Sequence, residues 1–506
     1  MRLSAIVAAA GLISPAFAGE KGKKLVTPRE LVKDVKLKDL LAGSQKLQDF
    51  ADANGGNRAF GGGGHNATVD WLYNSLKKTG YYNVVKQPFV ELFTAATIDF
   101  SANGAEYDAF YMTYGPSGNA TAPVVQVANI GCDAADYPAE LAGNIALISR
   151  GTCPFAQKAT LAKAAGAVGT IIYNNVPGSL AGTLGGVGDY AATVGVTQET
   201  GATLIDLLAA GEVTATLIVD AIAENRTTYN VIAETKTGDK NNVLVLGGHT
   251  DSVFAGPGIN DDGSGTVGVL TVAKALTKYK IKNAVRFAFW AAEEFGLLGS
   301  YHYIKTLNGT ISGSAAEVAK IRAYLNFDMI ASPNYVLGIY DGDGSAFNLT
   351  GPTGSDTIEK DFENFFKSKG VPSIPSIFSG RSDYAAFLQN GVPSGGLFTG
   401  AEELKTEDEA ALFGGEAGVA LDVNYHQAGD TIDNLSTEAF LINAQSIANS
   451  VAKYAVSFEG IPKANVTLRK RDAEKHRFME RFADTTAEAH KGHVHAAPCG
   501  QGALLV

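Results

Sequence analysis

GGHTDSVFAGPGINDDGSG, residues 247–265, sets His249, Asp251, Asp261 and Asp262 in a run rich in glycine. Carboxylates that close together repel one another unless positive charge sits among them. The stretch holds no Lys or Arg. It is therefore either a solvated loop or a ligand set neutralised by something the sequence does not spell out. Its flanks decide the fold. VLVLGG (243–248) before it is a continuous apolar run, and residues 264–279 after it carry apolar side chains at helical spacing. Strand, glycine-rich loop and helix in that order make an α/β unit, in which ligands sit beyond the carboxyl end of the strand.

The same alternation continues outward. Helical patterns occupy 38–54, 66–79 and 436–456, and strand-like runs occupy 83–92, 228–237, 241–247, 284–290 and 321–327. The expected fold is α/β, with a mixed, mostly parallel sheet flanked by helices. The region from about 110 to 220 reads differently: GNIALISRGTCPFAQKATLAKAAGAVGTIIYNN is strand, turn, Ala-rich helix and strand, with few acids and no His. It is expected to be an insertion without catalytic equipment. From about 462 the chain becomes charged and loses any sustained apolar face, as in an extension that is mobile or removed at Arg469-Lys470-Arg471.

A net charge of −11 over 506 residues argues against nucleic acid or an anionic membrane surface as the main partner. The first residues, MRLSAIVAAAGLISPAFAGE, give one Arg, a short apolar run and Ala16-Phe17-Ala18. Residues 1–18 are thus expected to be a secretory signal. No later run reaches the roughly 20 apolar residues of a transmembrane helix, so no membrane partner is expected. Asn-x-Ser/Thr sequons at Asn66, Asn119, Asn225, Asn308, Asn348, Asn434 and Asn465 agree with a secreted glycoprotein, a vacuolar destination being the alternative. In an oxidising compartment Cys132 and Cys153 are expected to pair, leaving Cys499 over.

Outside the tail the chain has only His65, His249, His302 and His426. His249 ends a strand. Asp251, two residues on, is placed to accept its second ring N–H. Asp261 lies in the loop before the helix, Glu293-Glu294 follow the run AVRFAFW, Asp328 follows AYLNF, and His426 sits in NYHQAGDT before the last helix. Singly, an HxD is a surface pair, an EE a solvated helix start, and NDDGSG a turn. Jointly, two imidazoles and three carboxylates at strand ends, with one Glu spare, suit two Zn²⁺ ions sharing one carboxylate.

GGHTDSV, GINDDGSG, FWAAEEFGLLGS, LNFDMIASPNY, GRSDYAAF and NYHQAGDT closely resemble the M28 family of dizinc aminopeptidases, in particular its secreted fungal leucine aminopeptidase and aminopeptidase Y-like members. RGTCPF and AGAVGTIIYNN resemble the protease-associated (PA) domain inserted in many of them. The likeness covers nearly all of residues 25–462. It implies peptidase parts at 19–109 and 223–461 around a PA domain at 110–222, with a C-terminal extension at 462–506. It further implies that His249, Asp261 and Asp328 hold one zinc, and that Asp261, Glu294 and His426 hold the other. Glu293 would be the general base, Asp251 its supporting acid, and Asp261–Asp262 a cis peptide. Met329 and Tyr384 are candidates by position for the pocket of the first side chain, Met329 fitting a core position better, and Arg381-Ser382-Asp383 are expected to shape that pocket.

The resulting expectation is a monomeric, secreted exopeptidase acting on peptides with a free N-terminus and preferring leucine-like residues. A dizinc carboxypeptidase would need a base for the C-terminal carboxylate, for which Arg381 is the candidate. A non-catalytic relative would have lost ligands, and here the set is intact. Tyr340–Ser345 (YDGDGS) reads as a turn, since it lacks the later Glu of a calcium loop. His490, His493 and His495 read as a solvated run, and His65 and His302 as surface or packed residues.

Overall fold

The computed structural model describes residues 22–462, apart from Pro177 and Ser179. The signal segment, Asn465, Cys499, the tail histidines and the basic run lie outside the described residues. The run VLVLGG belongs to strand Asp239–His249, which pairs in parallel with Asn283–Trp290 on one side and Ile321–Phe327 on the other. Ser394–Phe398 continues the parallel order beyond Ile321–Phe327. Gly338–Tyr340 and Ile374–Ser376 complete that edge, the first of them antiparallel to Ser394–Phe398.

The strands read as unbroken apolar runs because both faces of the sheet are covered. Leu244, Leu246, Phe287, Phe289, Leu325 and Phe327 point into a core shared with helices Leu37–Asp52, Gly63–Lys78, Gly263–Leu276, Ser355–Lys369 and Thr437–Tyr454. Val243, Val245, Ala288, Trp290 and Tyr324 point the other way, against Leu298–Leu307 and Tyr384–Leu388. The result is a helix–sheet–helix sandwich. Its parallel strands bring His249, the Glu293-Glu294 turn and Asp328 to one edge.

Two strands outrun the sequence reading. Tyr82–Ala102 and Thr214–Thr235 pair antiparallel in register from Tyr82↔Thr235 to Ala102↔Ala215. Each is long because the other satisfies its backbone well past the sandwich. Near its far end Thr214–Thr235 also pairs with Gly118–Gln126, the start of a second sheet through Ile145–Ser149, Gly169–Tyr173 and Ala192–Val196. This sheet has its own core, with Ile145, Leu147, Ile171, Val194 and Leu204. Cys132 and Cys153, in loops on either side of Ile145–Ser149, are disulfide-bonded. Among the described residues no helix is long and apolar enough to cross a membrane.

The glycines of the opening stretch serve close approach. A Cβ on Gly248 would lie 2.3 Å from Asp262 Oδ2 and 2.5 Å from the Phe327 carbonyl oxygen, and one on Gly265 would lie 2.0 Å from that same carbonyl. Glycine lets the strand, the loop and the neighbouring strand meet at one point. Gly248→Ala is accordingly expected to destabilise the fold by about 2 kcal/mol, read as a lower urea midpoint at unchanged slope. A wild-type midpoint would contradict the close approach.

Candidate metal centre

The loop after His249 is held by three side chains that are not themselves ligands. Asp262 caps helix Gly263–Leu276 by accepting the Gly265 N–H at 2.8 Å. It also accepts the N–H of Met329 at 3.1 Å and of His249 at 2.9 Å, so one carboxylate ties together three segments that carry site residues. Asp430 accepts the N–H of Asn260 and Asp261 at 2.8 and 3.0 Å. Arg58, fully buried, donates from Nε to the Pro257 carbonyl at 2.8 Å and from its two Nη atoms to the carbonyls of Thr250 and Gly258. Its backbone exchanges hydrogen bonds with Ser252.

Within that frame the acids and imidazoles converge. His249 Nε2 is 3.1 Å from Asp261 Oδ1 and 3.5 Å from Asp328 Oδ1. His426 Nε2 is 3.1 Å from Asp261 Oδ2 and 3.0 Å from Glu294 Oε2. The ligand atoms of His249, Asp261 and Asp328, and separately those of Asp261, Glu294 and His426, all lie within 4.8 Å of one another. Tetrahedral zinc with bonds of about 2.0–2.1 Å keeps its ligand atoms roughly 3.3 Å apart, so both donor sets fit the ion. The two oxygens of Asp261 face different histidines, as a bridging carboxylate requires. Glu293 is buried, with Oε2 3.8 Å from His249 Nε2, and its N–H donates to Asp251 Oδ1 at 3.1 Å. His249 Nδ1 lies nearer the Asp251 carbonyl (3.2 Å) than its carboxylate (3.7 Å). Asp251 therefore supports both neighbours, with its backbone under His249 and its side chain under Glu293. The Asp261–Asp262 peptide is cis.

The family model described as Peptidase family M28 matches residues 230–451, and that of the PA domain matches residues 120–204. The probable leucine aminopeptidase 2 of Aspergillus fumigatus is 56% identical, over 96% of this chain and 97% of that protein. The chain belongs to peptidase family M28. Among solved structures, the aminopeptidase from Aneurinibacillus sp. strain AM-1 matches at 29% identity and TM-score 0.63, covering 84% of this chain and 95% of that one. BSAP, a zinc aminopeptidase from Bacillus subtilis, matches at 26% identity and TM-score 0.61, covering 85% and 99%. The protein is an M28 metallo-aminopeptidase carrying a PA domain.

In this M28 chain, burial and the neighbouring charges pull against each other around the centre. Burial alone would lower the pKa of His249, but Glu293 and Asp328 outweigh it and hold the imidazole well above its usual value. Burial would raise Asp261, yet the hydrogen bonds from His249 and His426 pull it below the carboxylate range. Burial pushes Asp430 up to about 8 and Asp383 up to about 7. Arg58 is the cation that sequence reading missed: burial works against its charge, and Asp251, Asp430, Asp262 and Asp261 sustain it.

A second missed feature is a hydrogen-bond chain ending on Asp328. Trp290 Nε1 donates to Tyr324 Oη at 2.9 Å, which donates to Asn326 Oδ1 at 3.0 Å. Asn326 Nδ2 donates to Ser382 Oγ at 2.8 Å, and Ser382 donates to Asp328 Oδ2 at 2.5 Å. The Ser382 hydroxyl is thus turned onto the Asp328 carboxylate. Arg381 donates to Glu402 at 2.7 Å and to Tyr425 Oη at 3.2 Å, and Tyr425 stacks on His426.

The expectations for Tyr384 and Asn434 need correction. Tyr384 is 1% exposed, packs on Tyr340 and Phe378, and accepts the Gly380 N–H at 3.0 Å, so it braces the Ser379–Arg381 loop from behind. Met329 is buried too, with its carbonyl taken by Thr399. Asn434 is no glycan acceptor in the folded chain: it is buried, and its Nδ2 donates to Asp422 at 2.9 Å. Tyr340–Ser345 is a turn, but Glu359 does reach it, accepting the N–H of Gly342 and Asp343 at 3.0 Å each. His302 stacks on Phe89, and His65 is fully buried.

His65 Nε2 lies 2.9 Å from Thr250 Oγ1, which donates onward to the Trp290 carbonyl, so Nε2 carries the proton and Nδ1 accepts from the Gly61 N–H. Burial holds its pKa down at about 4. The unfolded chain protonates near 6.5, so stability from neutral His65 is fully present above that pH and is lost as pH falls toward 4. Wild type is expected to lose about 3 kcal/mol more than His65→Gln between pH 7 and 4 in urea unfolding; equal losses would contradict a buried neutral imidazole. Arg58→Met, which strips the loop of its buried cation, is expected to cost about 3–5 kcal/mol, measured the same way at pH 7.

Proposed function

We propose that the chain is a secreted aminopeptidase that removes N-terminal, preferably leucine-like residues, using two zinc ions and Glu293 as general base. The observation that carries this reading is the position of Asp261, with one oxygen 3.1 Å from His249 Nε2 and the other 3.1 Å from His426 Nε2. His249, Asp261 and Asp328 would hold one ion, and Asp261, Glu294 and His426 the other. Bound zinc supplies Lewis acidity toward the scissile carbonyl and acidifies water.

The chain's own residues do the rest. Glu293 accepts a proton from the attacking water and returns it to the nitrogen of the leaving residue as the C–N bond breaks. Asp251 fixes the Glu293 turn through its N–H. The acidic cluster attracts the substrate's free ammonium, which restricts cleavage to the first residue. A carboxypeptidase reading finds little support, since Arg381 is already paired with Glu402. The peptidase parts at 19–109 and 223–461, with the PA domain at 110–222 between them, act as a monomer. Asn66, Asn119, Asn225 and Asn348 are exposed and remain glycan acceptors, as does half-buried Asn308. The leucine preference follows the name of the Aspergillus fumigatus relative.

Glu293→Gln is expected to keep both zinc ions by elemental analysis while kcat on leucine p-nitroanilide falls at least about 100-fold. Loss of metal in that variant would make Glu293 a ligand and overturn its role. Treatment with 1,10-phenanthroline is expected to abolish turnover of the wild type, with recovery on added Zn²⁺. Retained turnover in the metal-free protein would sink the metal mechanism.

A further inference from the structure

We infer that Phe254 and Phe295, bedded on Phe93, form the subsite for the side chain of the substrate's second residue, and that it selects apolar and above all aromatic side chains there. The inference rests on the aminopeptidase reading above and extends it to the leaving side of the scissile bond.

Chemistry fixes where that subsite must lie. Glu293 returns its proton to the nitrogen of the second residue, so that residue sits beside Glu293 when the bond breaks. Phe295 is two positions on, in the same turn, where the N–H of Gly296 and Leu297 close back onto the Glu293 carbonyl at 2.9 and 2.8 Å. Val253 lines a small cleft with Asp261, Glu294 and His426. Phe254, the next residue, carries the same loop outward and is 37% exposed. The apolar surface therefore begins at the metal ligands and runs outward on the Glu293–Glu294 side.

The rings are held as a fixed surface. Phe254 meets Phe93 with centroids 6.1 Å apart, and Phe93 meets Phe295 at 5.2 Å and Phe60 at 5.3 Å. Phe60 in turn meets Phe295 edge-on at 4.8 Å. The Arg226 guanidinium lies 3.5 Å from the centre of the Phe93 ring and donates to the Phe60 carbonyl at 3.2 Å. Glu224 accepts from Arg226 Nε at 2.8 Å, which neutralises the cation. Phe93 and Arg226 lie on the two long strands that lead to the PA domain. The insertion's own stalk thus supplies the floor. A single exposed phenyl needs no explanation by itself; one seated on Phe93, which is itself packed against Phe60 and against Phe295 of the Glu293 turn, does.

The test compares Leu-Phe with Leu-Gly, two dipeptides that differ only at the second side chain. Wild type is expected to favour Leu-Phe in kcat/KM by about tenfold, the effect of covering the exposed part of one ring. Phe254→Ala is expected to bring that ratio close to one, and Phe254→Trp to keep it, with the melting temperature of each variant checked. A wild-type enzyme that does not distinguish the two dipeptides, or a Phe254→Ala enzyme that keeps the wild-type ratio, overturns the subsite. Failure of the underlying reading looks different: leucinamide, which has no second side chain, would then not be hydrolysed by the wild type at all.

Discussion

One buried carboxylate organises this molecule. Asp261 is 4% exposed and stands between two imidazoles, with Asp328 on one side and Glu294 on the other. In a low-dielectric interior, acids packed this closely cannot all stay ionised without cations among them. Two divalent ions held by these residues would meet that demand at the centre. Arg58 meets part of it one layer back, where a guanidinium that is always charged can also donate to three carbonyls of the ligand loop. The same residues that make the site reactive would be a liability without these charges.

Position follows from backbone hydrogen bonds as much as from ligands. Asp262, Asp430 and Arg58 act on main-chain N–H and C=O groups, so the loop keeps its shape whichever way its side chains are used. Ala292, Met329 and His426 adopt positive φ next to, or at, the residues that do the chemistry. Non-glycine residues hold such conformations only where the surroundings enforce them. The close contacts of Gly248 and Gly265 with Asp262 and the Phe327 carbonyl belong to the same economy of space.

The convergence of His249, Asp261, Glu294, Asp328 and His426 was legible in the sequence because the first four follow apolar runs or open a glycine-rich turn, and the parallel order gathers the strand ends; His426 sits in a loop before the last helix, and only the resemblance marked it. The layers behind it were not. Arg58 lies in a loop far upstream, inside GGNRAFGGGG, with no periodic signal to mark it as buried. Ser382 and Asn326 become partners only when the loop before helix Tyr384–Leu388 folds against strand Ile321–Phe327. The Asn434 sequon misled because the three-residue motif says nothing of burial, and Tyr384 because its position in the chain does not fix which way its ring turns. The length of Tyr82–Ala102 was hidden because its pairing with Thr214–Thr235 is entirely non-local. That pairing also carries Phe93, so the ribbon that leads to the PA domain reaches the aromatic rings under the Glu293 turn.

The claim on which all this depends is that Asp261 bridges two metal ions. Anomalous diffraction at the zinc edge from crystals of the zinc-loaded protein tests it most directly. The account predicts two peaks about 3.5–4 Å apart, each within bonding distance of a different Asp261 oxygen. A single peak, or two peaks with Asp261 bound to only one of them, would contradict it.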